Sequence, residues 1–161
     1  MERTRFELEA NLPPTLQSAP RAGQLGTALD QIVSVDLSDV GLGTAGQEKE
    51  FPVIIRDPNK DQALFWQSFL NFDPAAPTGA IDGDRLAATG TEERELTLFL
   101  PPTAFREGTG CYKYELLVSS AFSTALPSRE PVEEHDLATA LWWVRVTDAA
   151  DRDVDLNECP R

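Results

Sequence analysis

Histidine, methionine and lysine are almost missing from this chain of 161 residues, which has one His, one Met and only Lys49, Lys60 and Lys113 as lysines. A single histidine excludes a His-rich zinc site, and it leaves one imidazole at most to serve any nucleophile among Ser119, Ser120 and Cys111. No G-x-S-x-G elbow is present. Fourteen basic residues face twenty-seven acidic ones, for a net charge of −13, and no basic run exists. Tracking the phosphates of a nucleic acid or an anionic membrane takes clustered Lys and Arg, so both partner classes are excluded. The preference for Arg over Lys points to a GC-rich bacterial genome. No stretch is long and apolar enough to span a bilayer as a helix, and the opening MERTRFELEANLPP lacks the apolar centre of a secretory signal. A leader already removed, with Met1 standing for a processed end, fits the same sequence.

Cysteine is scarce too. Cys111 opens an apolar segment and Cys159 sits in the tail NECPR, the arrangement expected if a disulfide staples the last residues to the domain. The alternative leaves two free thiols, Cys111 packed as a small hydrophobe and Cys159 loose on the tail.

What the chain does contain is period-two apolar alternation. Ala63–Phe72 (ALFWQSFLNF), Tyr112–Ser119 (YKYELLVS) and Ala140–Thr147 (ALWWVRVT) each read as a half-buried strand, and Phe51–Asp57 and Arg94–Leu100 alternate in the same way. Ile32–Leu37 adds a short first strand, and a short edge strand is expected near Ala80–Ile81. Pro- and Gly-bearing loops join them, so the predicted fold class is an all-β antiparallel β-sandwich with an extended N-terminal arm. Residues 1–31, with Pro13, Pro14 and Pro20, read as that arm or tether, and residues 32–161 as the sandwich with its stapled tail.

The alternation also sorts the faces. Leu64, Trp66, Leu70 and Phe72, then Tyr114, Leu116 and Val118, then Trp142, Val144 and Val146 fall on the predicted core side. Leu96, Leu98 and Leu100 face them from the opposing sheet, and Phe51, Val53 and Ile55 share one face of their own strand. The other side carries Phe65, Phe69, Leu117 and Trp143 among polar neighbours, more aromatic surface than a soluble domain leaves in water. Either spare chain before the first firm strand or the loop 120–138 covers it, or it binds something. As a binding platform, Phe65, Phe69 and Trp143 would stack on the C–H faces of a carbohydrate or small ligand.

Other motifs resolve to turns. Gly41–Gly46 (GLGTAG) matches a dinucleotide fingerprint in form, but only Gln47–Glu50 intervene before Phe51-Pro52 opens a strand, so no helix follows to receive a pyrophosphate. Asp57, Asn59 and Asp61 alternate oxygen ligands along the turn DPNKD, a spacing that a hard cation can use. Lys60 brings a repelling charge into the same turn, and turn formation alone accounts for all three. Glu133-Glu134-His135-Asp136 reads as a surface turn, and Glu92-Glu93 lacks the aromatic cleft of glycosidase acids. No cofactor is expected.

The run VIIRDPNKDQALFWQSFLNF resembles the strand, Asp-Pro turn and aromatic strand of bacterial immunoglobulin-like sandwiches of the cadherin and polycystic-kidney-disease types. GTGCYKYELLVSS and DLATALWWVRVTD look like their last two strands, and Gly110 two residues before Tyr112 is similar to a tyrosine corner, with Gly108 where an acidic residue is expected and Glu107 one place early. Across residues 51–148 the chain most resembles the single immunoglobulin-like domain of envelope lipoproteins. That resemblance implies a non-enzymatic interaction or structural module, exported to the periplasm, outer membrane or extracellular space, with a protein partner at the cell envelope.

Overall fold

The computed structural model describes residues 11–19, 32–36, 49–105, 108–147 and 159. Eight strands run through them: β1 (Thr15–Ser18), β2 (Ile32–Asp36), β3 (Lys49–Arg56), β4 (Leu64–Leu70), β5 (Asp82–Leu86), β6 (Glu93–Leu100), β7 (Gly110–Ser119) and β8 (Ala138–Thr147). They form a three-stranded sheet in the order β1-β3-β6 and a five-stranded sheet in the order β2-β8-β7-β4-β5. The two sheets face each other across one core, so the described residues form an all-β sandwich. Every pairing is antiparallel except that of β2, which runs parallel to β8 along the sheet edge, with Ile32 opposite Trp143 and Val35 opposite Val146. Nearly the whole domain separates those two strands in sequence, so no tight hairpin constrains their direction.

Period-two alternation decides which side chains meet between the sheets. Phe51, Val53 and Ile55 of β3 are fully buried, and so are Tyr114, Leu116 and Val118 of β7 and Trp142, Val144 and Val146 of β8. Tyr114 lies opposite Trp142 in the β7–β8 register. The Phe51 ring reaches both from the other sheet, at centroid distances of 5.0 and 5.1 Å. Tilted and edge-on ring pairs of this kind add to the area they bury.

Three boundaries depart from the sequence reading. Thr15–Ser18, assigned above to the arm, is an edge strand, with Leu16 opposite Ile55. The expected edge strand near Ala80–Ile81 lies instead at Asp82–Leu86, where Gly83 faces Gln67, because Ile81 donates its N–H to Ser68 and opens the pairing. Phe72 leaves the core face: β4 ends at Leu70, and Asn71, at φ 51°, turns the chain. Asn71 exchanges bonds with Lys113 through its own N–H and Oδ1, which holds that left-handed conformation. Phe72 then packs beside Phe69 on the outer side. The glycine stretch Gly41–Gly46 and most of residues 1–31 lie outside the described residues.

Tyr112 ties the start of β7 to the preceding connection. Its hydroxyl donates to the Gly108 carbonyl at 2.7 Å and its ring packs edge-on against Phe105. The acceptor is backbone, so the glycine at 108 costs the corner nothing. Tyr112→Phe removes this bond and keeps the ring. It should lower the unfolding free energy by about 0.5–1.5 kcal/mol in a urea titration with unchanged slope.

Candidate functional site

Two places gather chemistry: the outer face of the five-stranded sheet, and one end of the sandwich where the β3–β4 turn meets the base of the β7–β8 loop.

On the outer face the loop 120–137 folds back as a tongue. Its two arms are tied by Ser123 donating to Glu130 and Val132 donating to Ala121, around a bridge between Phe122 and Pro131. Arg129 lies over two rings, its guanidinium carbon 4.4 Å from the Phe69 centroid and 3.8 Å from that of Phe72. Glu115 of β7 holds this guanidinium by an ion pair and also meets Lys113 at 3.2 Å. Phe69 is therefore fully buried and Leu117 nearly so, although both point away from the core between the sheets.

The expected aromatic platform is thereby corrected. Phe69 is sealed by Arg129, Trp143 is half-buried, opposite Lys113 in the β7–β8 register, and of the three only Phe65 stays open, at 38% exposure. Phe65 lies opposite Ser119 and Trp143 opposite Lys113, six residues apart along β7 or about 20 Å at roughly 3.4 Å per residue. The three rings share a face and do not converge.

Phe65 opens instead onto a groove of about 910 Å³ that the sequence did not reveal as one site. Register builds its floor: Arg85 stands beside Phe65 and Gly83 beside Gln67 across β5 and β4. The tongue supplies one wall through Phe122 and Leu126, and Asp82 and Asp84 of the edge strand border it. A Cβ on Gly83 would come within 2.8 Å of the Trp66 carbonyl, so glycine is the residue that lets β5 lie this close to β4. Composition gives no hint of this groove, because its wall comes from a loop whose docking is a tertiary event.

At the sandwich end the three candidate cation ligands part company. Asp57 turns inward, fully buried, with Oδ1 accepting the Asn59 N–H at 2.9 Å and Oδ2 3.5 Å from Nη2 of the buried Arg94. Asn59 donates instead to Asn11 at 2.7 Å, and Asp61 is exposed. Arg94 also donates to the carbonyls of Gln62 and Leu86. Among the described residues no three acidic, His or Cys side chains are arranged to hold a metal. Burial pushes the Asp57 carboxyl above its ordinary value of 3.8, nearby Asp136 adds to the rise, and Asn59 and Arg94 oppose it.

Asp136, assigned above to a surface turn, is a buried anchor. Its Oδ2 accepts from the Ser120 N–H at 3.0 Å and from the hydroxyls of Ser119 and Ser120, which clamps the two ends of the tongue together. Its neighbours Glu133, Glu134 and His135 are exposed.

No family model matches this sequence, and no curated protein matches it. Among solved structures it is similar to the solution structure of a CARDB domain from Pyrococcus furiosus, at 15% identity and a TM-score of 0.40, over 85% of this chain and 94% of that one. It is also similar to the PKD domain of human KIAA0319, at 11% identity and a TM-score of 0.38, over 92% and 94% of the two chains.

Proposed function

We propose that this chain is an exported, non-catalytic binding or structural module of a bacterial cell envelope, carried there as a lipoprotein or secreted domain and working against a protein partner. The observation that supports it is the disulfide between Cys111 and Cys159, which fastens the tail to the first residues of β7. Such a bond persists in an oxidising compartment, and glutathione and thioredoxin keep it open in a mesophilic cytosol. The rest of the design agrees. Among the described residues the buried charged groups are Asp57, Asp136 and Arg94, and each makes bonds that hold loops in place. The sandwich offers surface, and the tongue shapes it.

The test is the state of the two thiols in protein isolated from its own cell. Alkylation under denaturing, non-reducing conditions should label neither cysteine, and fractionation should find the chain outside the cytoplasm. A cytoplasmic chain with both thiols labelled would overturn the reading. With the bond closing 48 residues of sequence, Cys111→Ser/Cys159→Ser should lower the unfolding free energy by about 2–4 kcal/mol.

A carbohydrate or small ligand is a second reading, and one specific observation favours it: the groove above Phe65.

A further inference from the structure

We infer that the place beside β6 takes an extended, basic segment of a partner protein as a fourth strand of the small sheet, an inference that rests on the module reading and gives the partner's chemistry. Hydrogen-bond phase leaves that place open. Asp57 donates its N–H to the Glu92 carbonyl at 2.8 Å, and from there the β3–β6 register turns the backbone groups of Arg94, Leu96, Leu98 and Leu100 toward β3. Those of Glu93, Glu95, Thr97 and Phe99 point the other way, where no strand pairs with them among the described residues. The Thr91 hydroxyl donates to the Glu93 carbonyl, so the open row runs over Glu95, Thr97 and Phe99. From Leu96 to Leu100 the edge carries no charge, and Phe99 on it is 44% exposed. Such an edge is a template for an incoming strand.

The floor under that place selects the strand. Asp82 and Asp84 lie opposite Ser68 and Trp66, whose side chains are buried toward the space between the sheets, yet both aspartates are exposed. Inward side chains stay in water only where the facing sheet stops short, and here three strands face five. Burial pushes the Tyr114 hydroxyl up to about 12, Ser68 opposes the rise and the charge of Asp82 adds to it, which agrees with an inward Asp82. On this side the small sheet ends with β6, since Arg94 donates to the Leu86 carbonyl of β5 at 3.3 Å while β1 lies against β8. A strand added to β6 would therefore run above the uncovered inner side of β5. The two carboxylates stand about 7 Å apart at roughly 3.4 Å per residue, which is the spacing of alternate side chains on any extended strand. Lysine or arginine at alternate positions meets both. Asp82 Oδ1 accepts the Gly83 N–H at 2.8 Å and Asp84 Oδ1 accepts the Arg85 N–H at 2.7 Å, so each carboxylate is held in place with its second oxygen left for the incoming cation. An apolar strand would bury both charges unpaired. A second copy would bring Glu93, Glu95 and a net charge of −13 to the same place.

The probe is a blocked peptide that alternates lysine and valine over the length of β6, titrated into the intact, oxidised protein and followed through its amide resonances. It should bind with a Kd of about 10 μM to 1 mM at low salt. The amides of Glu95, Thr97 and Phe99 should become protected from exchange as it binds. A peptide of the same composition with its lysines contiguous should bind at least about fivefold more weakly. Asp82→Asn combined with Asp84→Asn, at exposed positions, should weaken the alternating peptide about tenfold or more with the melting temperature unchanged. Glu134→Gln, which removes a charge from an exposed turn, should leave the affinity as it was. No binding at roughly 5 mM peptide would overturn the inference. So would equal affinity for the two peptides, or affinity that the paired aspartate substitutions leave intact. Protection of the same three amides by dimerisation of the chain alone would also overturn it, with a second copy as the occupant. Loss of peptide binding in an exported chain with both thiols bonded strikes this inference alone, whereas labelled thiols in a cytoplasmic chain strike the module reading on which it rests.

Discussion

Asp57→Ala should destabilise the fold by about 3–5 kcal/mol, because it leaves the Arg94 guanidinium buried with no opposite charge within reach. Arg94→Met should cost less. It removes the expensive charge and leaves a carboxyl that can take up a proton in place. Combining Arg94→Met with Asp57→Asn should recover most of the loss, and a double-mutant cycle in urea reads the coupling directly. The pH dependence carries a definite sign. Burial raises the Asp57 pKa in the folded protein, so the fold binds that proton more tightly than the unfolded chain does. The contribution of this group is fully present below its ordinary value of 3.8 and is lost as pH rises through the raised folded value. Unfolding free energies of the wild type and Asp57→Asn, compared from pH 3 to 7, should therefore diverge in favour of the wild type as pH falls. Divergence in the opposite direction would mean that Arg94 dominates over burial.

That buried pair shows where sequence reading stops. Asp57-Pro58-Asn59 is legible as a turn, because Pro presets φ and the Asp carboxylate accepts the backbone N–H two residues on, as it does here. Nothing local says that the other oxygen meets Arg94, which lies thirty-seven residues later on β6, the neighbouring strand of the same sheet. Strands announce themselves because a period of two is a property of each segment alone, which is why β3, β4, β6, β7 and β8 fall within a few residues of their expected bounds. β1 escaped because four residues flanked by polar and Pro-bearing chain carry too little alternation, and their pairing is set by β3. The binding face was half legible. Alternation placed Phe65, Phe69, Leu117 and Trp143 on the outer side, but exposure depends on what a loop does. The fact that selects Phe65 over Phe69 is the stacking of Arg129, a contact that one residue in a polar, Pro-bearing loop makes sixty residues away. Asp136 left a fainter signal, an acid just before one strand with Ser119-Ser120 just after the preceding one, each side needing the other's hydrogen bonds.

Phe69→Ala should cost about 3–5 kcal/mol, the loss expected of a core aromatic, although Phe69 faces away from the space between the sheets. The reason is that the tongue makes a second, smaller core. Phe69 and Phe72 meet edge-on at 5.5 Å, Arg129 lies over both, and Leu117 is shut in beneath them. Arg129 brings more than charge, since its guanidinium plane covers the rings while Glu115 neutralises it where water is scarce. Arg129→Lys should then behave unlike a conservative change. A lysine keeps the positive charge but not the flat cover, so the tongue should loosen with a smaller stability loss than Phe69→Ala. Amide exchange should rise in residues 120–137 before it rises in β7 and β8. The two substitutions separate a sealed face from an open one. If Phe69→Ala costs under about 1 kcal/mol, with exchange in the tongue unchanged, Phe69 is solvated in solution and the aromatic face is an open platform after all. A full core-sized loss instead fixes the tongue as part of the folded unit, and the groove it walls above Phe65 is then a permanent feature of the domain.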